Sequence, residues 1–334
     1  SNLLHAGGLH KGTTLSLQSL DPHTLEAVHR TNIKMNDFAE WMQKYADAGI
    51  STYTELIMGL PGETYASFKA GIDTILEAGQ HEHINAYLLQ LLPNSEMADL
   101  AYIEKHGIKT RRMPQLLQHS TPTTDGVTEY HDIVVETATM SIEDWKRTYL
   151  FAWAVQTFHC LGLTRCIAQA AHILYQVPHS QFYEQLITWA VHHPQTIIGR
   201  QYQRTMEILE GALAGESWDI LLPQYGPIIW PTEESSFLMC VHEKMLFYGQ
   251  MLEACLPSFI GHEAVLVDVL AYQNAMLIDP WQKEVVSLDM LYDWPAWFTD
   301  VHAGHIRDPI HGWQTVTIHP SVVYGGNLPR YARE

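Results

Sequence analysis

Four polar side chains in the first part of the chain have the types and the spacing to bind one small ligand. They are an amide and a hydroxyl, Gln18 and Ser19, a guanidinium, Arg30, and a carboxylate, Glu55. A carboxylate can accept hydrogen bonds from both hydroxyls of a ribose, and a guanidinium can form a bidentate pair with a substrate carboxylate. Polar clusters of this kind also occur for purely structural reasons, and the spacing alone is equally compatible with that alternative.

Alternating strands and helices over the first 92 residues would position these side chains. Apolar runs predict strands at Thr13–Leu17, Thr52–Met58 and His83–Leu92. Helices are predicted over Pro22–Ala48, after the N-cap Asp21, and over Thr64–Ala78, and each ends at a glycine, Gly49 or Gly79. Strand–helix units of this length are typical of a parallel α/β sheet or barrel, in which ligands bind at the carboxyl ends of the strands. We therefore expect three parallel neighbours in this order, with Gln18 and Glu55 facing one crevice and Arg30, near the middle of the first helix, at its rim.

The chain is predicted to divide into four parts. These are an α/β domain over 1–92, a connecting segment over 93–140, a helical domain over 141–280 and a C-terminal extension with short strands over 281–334. The connecting segment is rich in turn formers and has a basic cluster (Lys109, Arg111 and Arg112) and one predicted strand, Tyr130–Thr137. Helical periodicity predicts helices over Ser141–Leu161, Thr164–Tyr175, Ser180–His192, Gln195–Ala214, Glu233–Leu256 and His262–Leu277. Strand-like runs in the extension are Glu284–Leu288 and Thr315–His319.

Composition and charge exclude several classes of function. The chain has 19 Lys and Arg against 37 Asp and Glu, a net charge of −18, which argues against non-specific binding of nucleic acid. The longest apolar stretch, Tyr149–Leu163, is too short and too polar to span a bilayer, and no secretory signal is visible. We therefore expect a cytoplasmic protein without membrane contact. None of the 4 cysteines forms a CxxC pair, which indicates free thiols and no Cys-ligated zinc or iron–sulfur site made by this chain alone.

Groups of histidines are the remaining candidates for metal binding. They are the pairs His81/His83 and His192/His193 and the looser group His302, His305 and His311. None has the spacing of HExxH or of a Cys/His finger. Surface or capping histidines are the simpler interpretation, and no metal site is predicted.

Three segments of the chain together resemble the second half of a radical SAM barrel. They are LSLQS at 15–19 with an arginine after it, ELIMGLPGET at 55–64, and NAYLLQLLPNS at 85–95. Their order and spacing are similar to those of the coproporphyrinogen dehydrogenase and cobalamin-binding branches of that family. In those relatives the matching Gln, Arg and acid contact S-adenosylmethionine. The resemblance implies this role for Gln18, Arg30 and Glu55, adds Ser19 and Leu89 as further cofactor-binding candidates, and implies no particular catalytic residue.

The chain departs from the family pattern in two places. It lacks the CxxxCxxC loop that holds the family's [4Fe-4S] cluster, and it lacks the Gly-Gly-Glu segment. The resemblance therefore implies an α/β part followed by mostly α structure: the C-terminal half of a partial (β/α)6 radical SAM barrel, with Ser1–Ala6 as the end of a preceding helix, and a helical C-terminal region. At full length it implies an enzyme that uses S-adenosylmethionine and a [4Fe-4S] cluster, with cobalamin in the cobalamin-binding branch, for radical chemistry such as methyl transfer or rearrangement. This chain alone is expected to be inactive, because the cluster ligands are absent from it.

Two alternatives to this enzyme stay open at the level of sequence. A degenerate half-barrel could serve as a non-catalytic binding or scaffold protein, or another α/β enzyme could use the acidic residues directly, without iron. For an enzyme the partner is a small-molecule substrate, whose identity the sequence does not indicate. Half of a barrel would also leave the strand Thr13–Leu17 at an apolar edge, so self-association through that edge is expected.

Overall fold

The computed structural model describes residues 12–122, 127–278, 280, 285–319, 324 and 327–332. The chain folds into two compact units. The first consists of Ser1–Gln156, Arg204–Leu221 and Pro227–Trp230, and the second of Thr157–Gln203, Leu222–Gly226 and Pro231–Glu334. The division into 1–92, 93–140, 141–280 and 281–334 stays a prediction. The helix end predicted at Ser1–Ala6 lies outside the described residues.

The first unit contains a three-stranded parallel sheet. Its strands are β1 (Thr13–Gln18), β2 (Thr52–Met58) and β3 (Ile84–Leu88), and they lie side by side in chain order. The helices between them are α1 (Pro22–Ala27), α2 (Met35–Asp47) and α3 (Tyr65–Glu77). The predicted order and direction of the strands are confirmed. The α/β character of this part is therefore shown, whereas closure of these strands into part of a barrel stays a prediction.

The single helix predicted over Pro22–Ala48 is wrong, because two helices occupy this segment. Asp21 caps α1 as predicted, and its side chain accepts a hydrogen bond from the Thr24 N–H. The helix ends at Ala27 and is followed by His29, whose φ of 56° is left-handed, while the Arg30 N–H donates to the Leu25 carbonyl at 2.9 Å. This is a Schellman ending, and it coincides with a run of β-branched residues and Asn32 that favours helix poorly. Arg30 therefore lies in the connection between α1 and α2.

The two faces of the sheet are covered very differently. In β2 the four residues on one face (Thr52, Thr54, Leu56 and Met58) are all buried. Gln80 Nε2 donates to the hydroxyls of Thr52 and Thr54 at 3.3 Å each, and Thr52 also contacts Met42 of α2. The residues that alternate with them are only partly buried, and on the flanking strands Thr14, Ser16 and Tyr87 of this second face are exposed. This second face, exposed at these three positions, is called the open face below.

The segment just after β3 is bridged to a later part of the chain. Strand β5 (Tyr130–Glu136) runs antiparallel past the end of β3, and the Val134 N–H donates to the Leu89 carbonyl at 2.9 Å. On its other side β5 pairs with β4 (Lys109–Pro114), which follows helix α4 (Leu100–His106). The strand predicted at Tyr130–Thr137 is thus confirmed. The segment 93–140 contains more regular structure than its turn-forming composition indicated, because α4 and β4 also lie in it.

Helix α5 (Ile142–Ala154) closes the continuous part of the first unit. Ser141 caps it by accepting a hydrogen bond from the Asp144 N–H, as its capping-box sequence predicts. The helix continues as a π-helix over Val155–Cys160, at the boundary between the two units. The first unit resumes at Arg204, within helix α8 (Ile197–Leu213). A short antiparallel pair of strands, β6 (Ile220–Leu221) and β7 (Ile229–Trp230), completes it.

The second unit is mainly helical. Its helices are α6 (Arg165–Tyr175), α7 (His179–His192), α9 (Thr232–His242), α10 (Lys244–Cys255), α11 (Glu263–Met276), α12 (Trp294–His302) and α13 (Leu328–Tyr331). The helix predicted over Glu233–Leu256 is interrupted at Glu243, where φ is −108° and ψ is 35°. Strands β8 (Val286–Tyr292) and β9 (His311–Ile318) form an antiparallel pair where the short strands were predicted. Among the described residues, no helix is both long enough and apolar enough to cross a membrane.

Candidate functional site

The centre of the candidate site is a row of polar side chains across the open face. Glu55 of β2 is in register with Ser16 of β1 on one side and with Asn85 of β3 on the other. Residues in register on neighbouring strands point to the same face, and strands lie about 4.8 Å apart. A hydroxyl, a carboxylate and an amide are therefore neighbours on the open face, where Ser16 is exposed and Glu55 and Asn85 are partly exposed, so that a ligand can reach all three.

Gln18 lies at an irregularity of β1. Ser16 is in register with Glu55 but Gln18 with Leu56, so Leu17 is one extra residue, a β-bulge. Gln18 itself has a left-handed φ of 62°, which is uncommon for a residue other than glycine. Bulges and strained residues of this kind occur often next to functional sites, where they redirect a side chain. The bulge also breaks the alternation that would put Gln18 on the face of Ser16, so its approach to a common ligand with Glu55 stays a prediction.

Ser19 is held by a buried acid in the loop after β2. Glu63 is only 1% exposed, and its side chain is hydrogen-bonded to the hydroxyls of Ser67, at 2.6 Å, and Ser19. Burial raises the pKa of Glu63 and the nearby Asp21 adds to this, while the two hydroxyls act in the opposite direction. Ser19 also accepts a hydrogen bond from the Asp21 N–H at 3.1 Å. The end of β1, the start of α1 and the loop after β2 are thus tied together beside the row.

Two glycines allow the loop after β2 to approach its neighbours. Gly59 has a φ of 93°, and a Cβ there would lie 3.0 Å from the Val134 carbonyl oxygen. Gly62 has a φ of 92°, and a Cβ there would lie 3.1 Å from the backbone nitrogen of Thr24. This segment is the tight turn that GLPGET predicts, and it packs against β5 and against α1.

Arg30 and Leu89 have surroundings different from those of the polar row. Arg30 is exposed in the connection between α1 and α2. Leu89 is 7% exposed and belongs to a hydrophobic cluster with Leu60, Ile108 and Val134. A contact of either residue with a cofactor therefore stays a prediction, and for Leu89 the packing in the cluster is what the structure describes.

Sequence reasoning missed three residues that the fold brings to this region. Ser16 and Asn85 flank Glu55, and Glu63 holds Ser19. In the sequence, only the alternation of buried and polar positions in β2 and β3 indicated Asn85. That alternation was insufficient, because it places Asn85 on the face of Glu55 only once the register of the two strands is known.

The cysteines do not form a site for an iron–sulfur cluster in the part of the chain that the structure describes. Burial raises the pKa of Cys166 and Cys255 to about 12 and also raises the pKa of Cys240, so these thiols pack as neutral groups. No group of three or more His, Cys, Asp or Glu side chains among the described residues has an arrangement that could hold a metal ion. The histidines of the three groups singled out from the sequence all lie among the described residues, and none of them belongs to such an arrangement.

Two curated relatives match most of this chain. A "Cobalamin-dependent radical SAM methyltransferase TokK" from Streptomyces tokunonensis is 32% identical over 316 residues, which cover 89% of this chain and 46% of the relative. A "2-(S-pantetheinyl)-carbapenam-3-carboxylate methyltransferase" from Streptantibioticus cattleyicolor is 31% identical over 317 residues, which cover 90% of this chain and 46% of the relative. The chain thus spans about half the length of the curated relatives it matches. No protein-family model matches it.

Proposed function

Because this chain belongs to the radical SAM superfamily and to its cobalamin-binding branch, we propose that it is the C-terminal portion of a radical SAM methyltransferase. The observation that carries the proposal is the position of Glu55 on the open face, between Ser16 and Asn85. A carboxylate in that position is accessible to a ligand and can accept hydrogen bonds from ribose hydroxyls. The similarity to two methyltransferases over about nine-tenths of the chain supports methyl transfer as the reaction of the complete enzyme.

The three cofactors that this family implies differ in how well the described residues suit them. The polar row and Gln18 suit the nucleoside part of S-adenosylmethionine. The four cysteines, all of them described, form no group that could hold a [4Fe-4S] cluster, so its ligands would come from sequence outside this chain. Cobalamin is likewise expected to bind outside it. In the complete enzyme these groups supply the radical and the methyl group, and the residues of this chain bind and orient the nucleoside and cover the small-molecule substrate.

The first test is the affinity of the complete enzyme for S-adenosylmethionine. Glu55→Ala should weaken binding by about 1.5–3 kcal/mol, the range for hydrogen bonds to a charged group. Arg30→Ala should weaken it similarly, because the carboxylate of the ligand would lose its partner. Isothermal titration calorimetry of both variants and of Glu77→Ala, an exposed glutamate at the end of α3, would measure these effects. Unchanged affinity in both Glu55→Ala and Arg30→Ala would mean that these two residues have a structural role and do not bind the ligand.

The chain by itself provides a second arm of the same test. Without cluster ligands it should not turn over S-adenosylmethionine, and it should bind the cofactor poorly. Turnover by the isolated chain after reconstitution with iron and sulfide would contradict the proposal.

A further inference from the structure

We propose that Asn85 binds the ribose of the nucleoside together with Glu55, as the hydrogen-bond donor that a carboxylate cannot supply. This inference rests on the proposed function, since it concerns the same ligand. Asn85 is in register with Glu55 on the neighbouring strand, and both are partly buried, as expected for side chains at the floor of an accessible site.

The surroundings of Asn85 favour a ligand over a structural role. The next residue on the same face of β3, Tyr87, is 52% exposed, and Ser16 on the other side of Glu55 is exposed as well. The structural amide of this sheet is Gln80, which is buried on the opposite face and donates to Thr52 and Thr54. Asn85 thus lies on the side of the sheet that is exposed at Ser16 and Tyr87.

The chemistry of the pair fits a vicinal diol. Each hydroxyl of a diol has one hydrogen to donate and lone pairs that can accept. The Glu55 carboxylate accepts from the hydroxyls, and the Asn85 amide can donate to one hydroxyl oxygen at the same time. The two side chains, on strands about 4.8 Å apart, are spaced for the neighbouring oxygens of one ribose. Asn85 should therefore make binding sensitive to one particular hydroxyl.

The experiment measures binding of S-adenosylhomocysteine and of its 2′-deoxy and 3′-deoxy forms to the complete enzyme with its cofactors assembled. Asn85→Ala should weaken binding of S-adenosylhomocysteine by about three- to tenfold, the effect of one hydrogen bond. In the wild type, removal of one of the two hydroxyls should weaken binding by a similar factor. In Asn85→Ala that same removal should have little further effect, because the partner of the hydroxyl is already missing.

A second variant and a control make the result specific. Asn85→Asp keeps the size of the side chain but removes the donor, so it should weaken binding at least as much as Asn85→Ala. Asn36→Ala, at an exposed position of α2, should bind all three ligands like the wild type. Circular dichroism would verify that each variant is folded.

The possible outcomes separate this inference from the proposed function. In one outcome the wild type binds S-adenosylhomocysteine, and in Asn85→Ala the loss of affinity on removal of each hydroxyl is as large as in the wild type. The role proposed for Asn85 is then wrong, and the proposed function stands. If the wild type binds none of the three ligands, the proposed function fails, and the role of Asn85 fails with it.

Discussion

Glu63 is a buried acid whose electrostatic environment should make stability depend on pH. Burial raises its pKa above the ordinary value of 4.5, so the folded protein holds this proton more tightly than the unfolded chain. The wild type should therefore lose stability as the pH rises from that value through the raised pKa of the folded state. The neutral Glu63→Gln variant avoids this loss.

We predict that the stability of Glu63→Gln relative to the wild type increases as the pH rises from about 4.5 toward neutrality. Thermal unfolding of both proteins across this range would measure the difference. Ser67→Ala removes a hydroxyl that lowers the pKa of Glu63. A Ser67→Ala variant that keeps Glu63 should therefore lose more stability over this pH range than the wild type. A difference between Glu63→Gln and the wild type that does not change with pH would contradict the prediction.

Single residues were predictable from the sequence where local chemistry determines them. Asp21 and Ser141 are helix caps as predicted, because a cap depends on a few adjacent residues. Asn85 and Glu63 could not be predicted in the same way. Their positions depend on the register of the strands and on contacts with residues distant in the chain, such as Ser19.

At the level of elements, the loop after β2 gives a test with a matched control. Gly59 and Gly79 have nearly the same φ, 93° and 94°, but a Cβ at Gly59 would lie 3.0 Å from a carbonyl oxygen, whereas a Cβ at Gly79 meets nothing within 4 Å. Gly79→Ala should therefore lower the free energy of unfolding by about 1–2 kcal/mol, the penalty of the left-handed backbone. Gly59→Ala should lower it by a further ~1–3 kcal/mol, because the loop must move from β5.

Urea unfolding of the two variants would measure both effects in the same unit of the protein. Equal destabilisation would mean that the loop after β2 can shift away from Val134 without loss of free energy.

The elements of the sheet were largely predictable, and their interruptions were not. The three strands and their order follow from apolar runs separated by helical spacing. The break of the predicted helix at His29 was missed because Arg30 and its neighbours carry no Gly or Pro to mark an ending. The bulge at Leu17 was missed for a related reason, since it becomes visible only against the partner strand.

At the scale of the whole molecule, the two edges of the described sheet differ in their pairing. The segment after β3 forms an isolated bridge to β5, whereas no described strand pairs with the outer side of β1. The Thr13 N–H donates to the Ser51 carbonyl at 2.9 Å, so the N–H of Thr14 points away from β2. Within the described part of the chain no strand accepts from this N–H, and a strand edge of this kind is a template for another strand.

We predict that the isolated chain self-associates through β1 despite its net charge of −18. Thr14→Pro removes the outward N–H and should shift the chain toward monomer, whereas Thr14→Val keeps it and should behave like the wild type. Sedimentation velocity over a range of concentrations would compare the three. A wild type that stays monomeric throughout would show that the β1 edge is protected.

The pairing of β3 with β5 also affects how the protein folds while it is being made. The ribosome releases Leu60 and Leu89 well before Ile108 and Val134, their partners in the hydrophobic cluster. Until Val134 emerges, the Leu89 carbonyl lacks the N–H from which it accepts a hydrogen bond in the folded chain. The growing chain therefore passes through an interval in which the backbone that follows β3 can bind a chaperone or another nascent chain, and the arrival of β5 ends that interval.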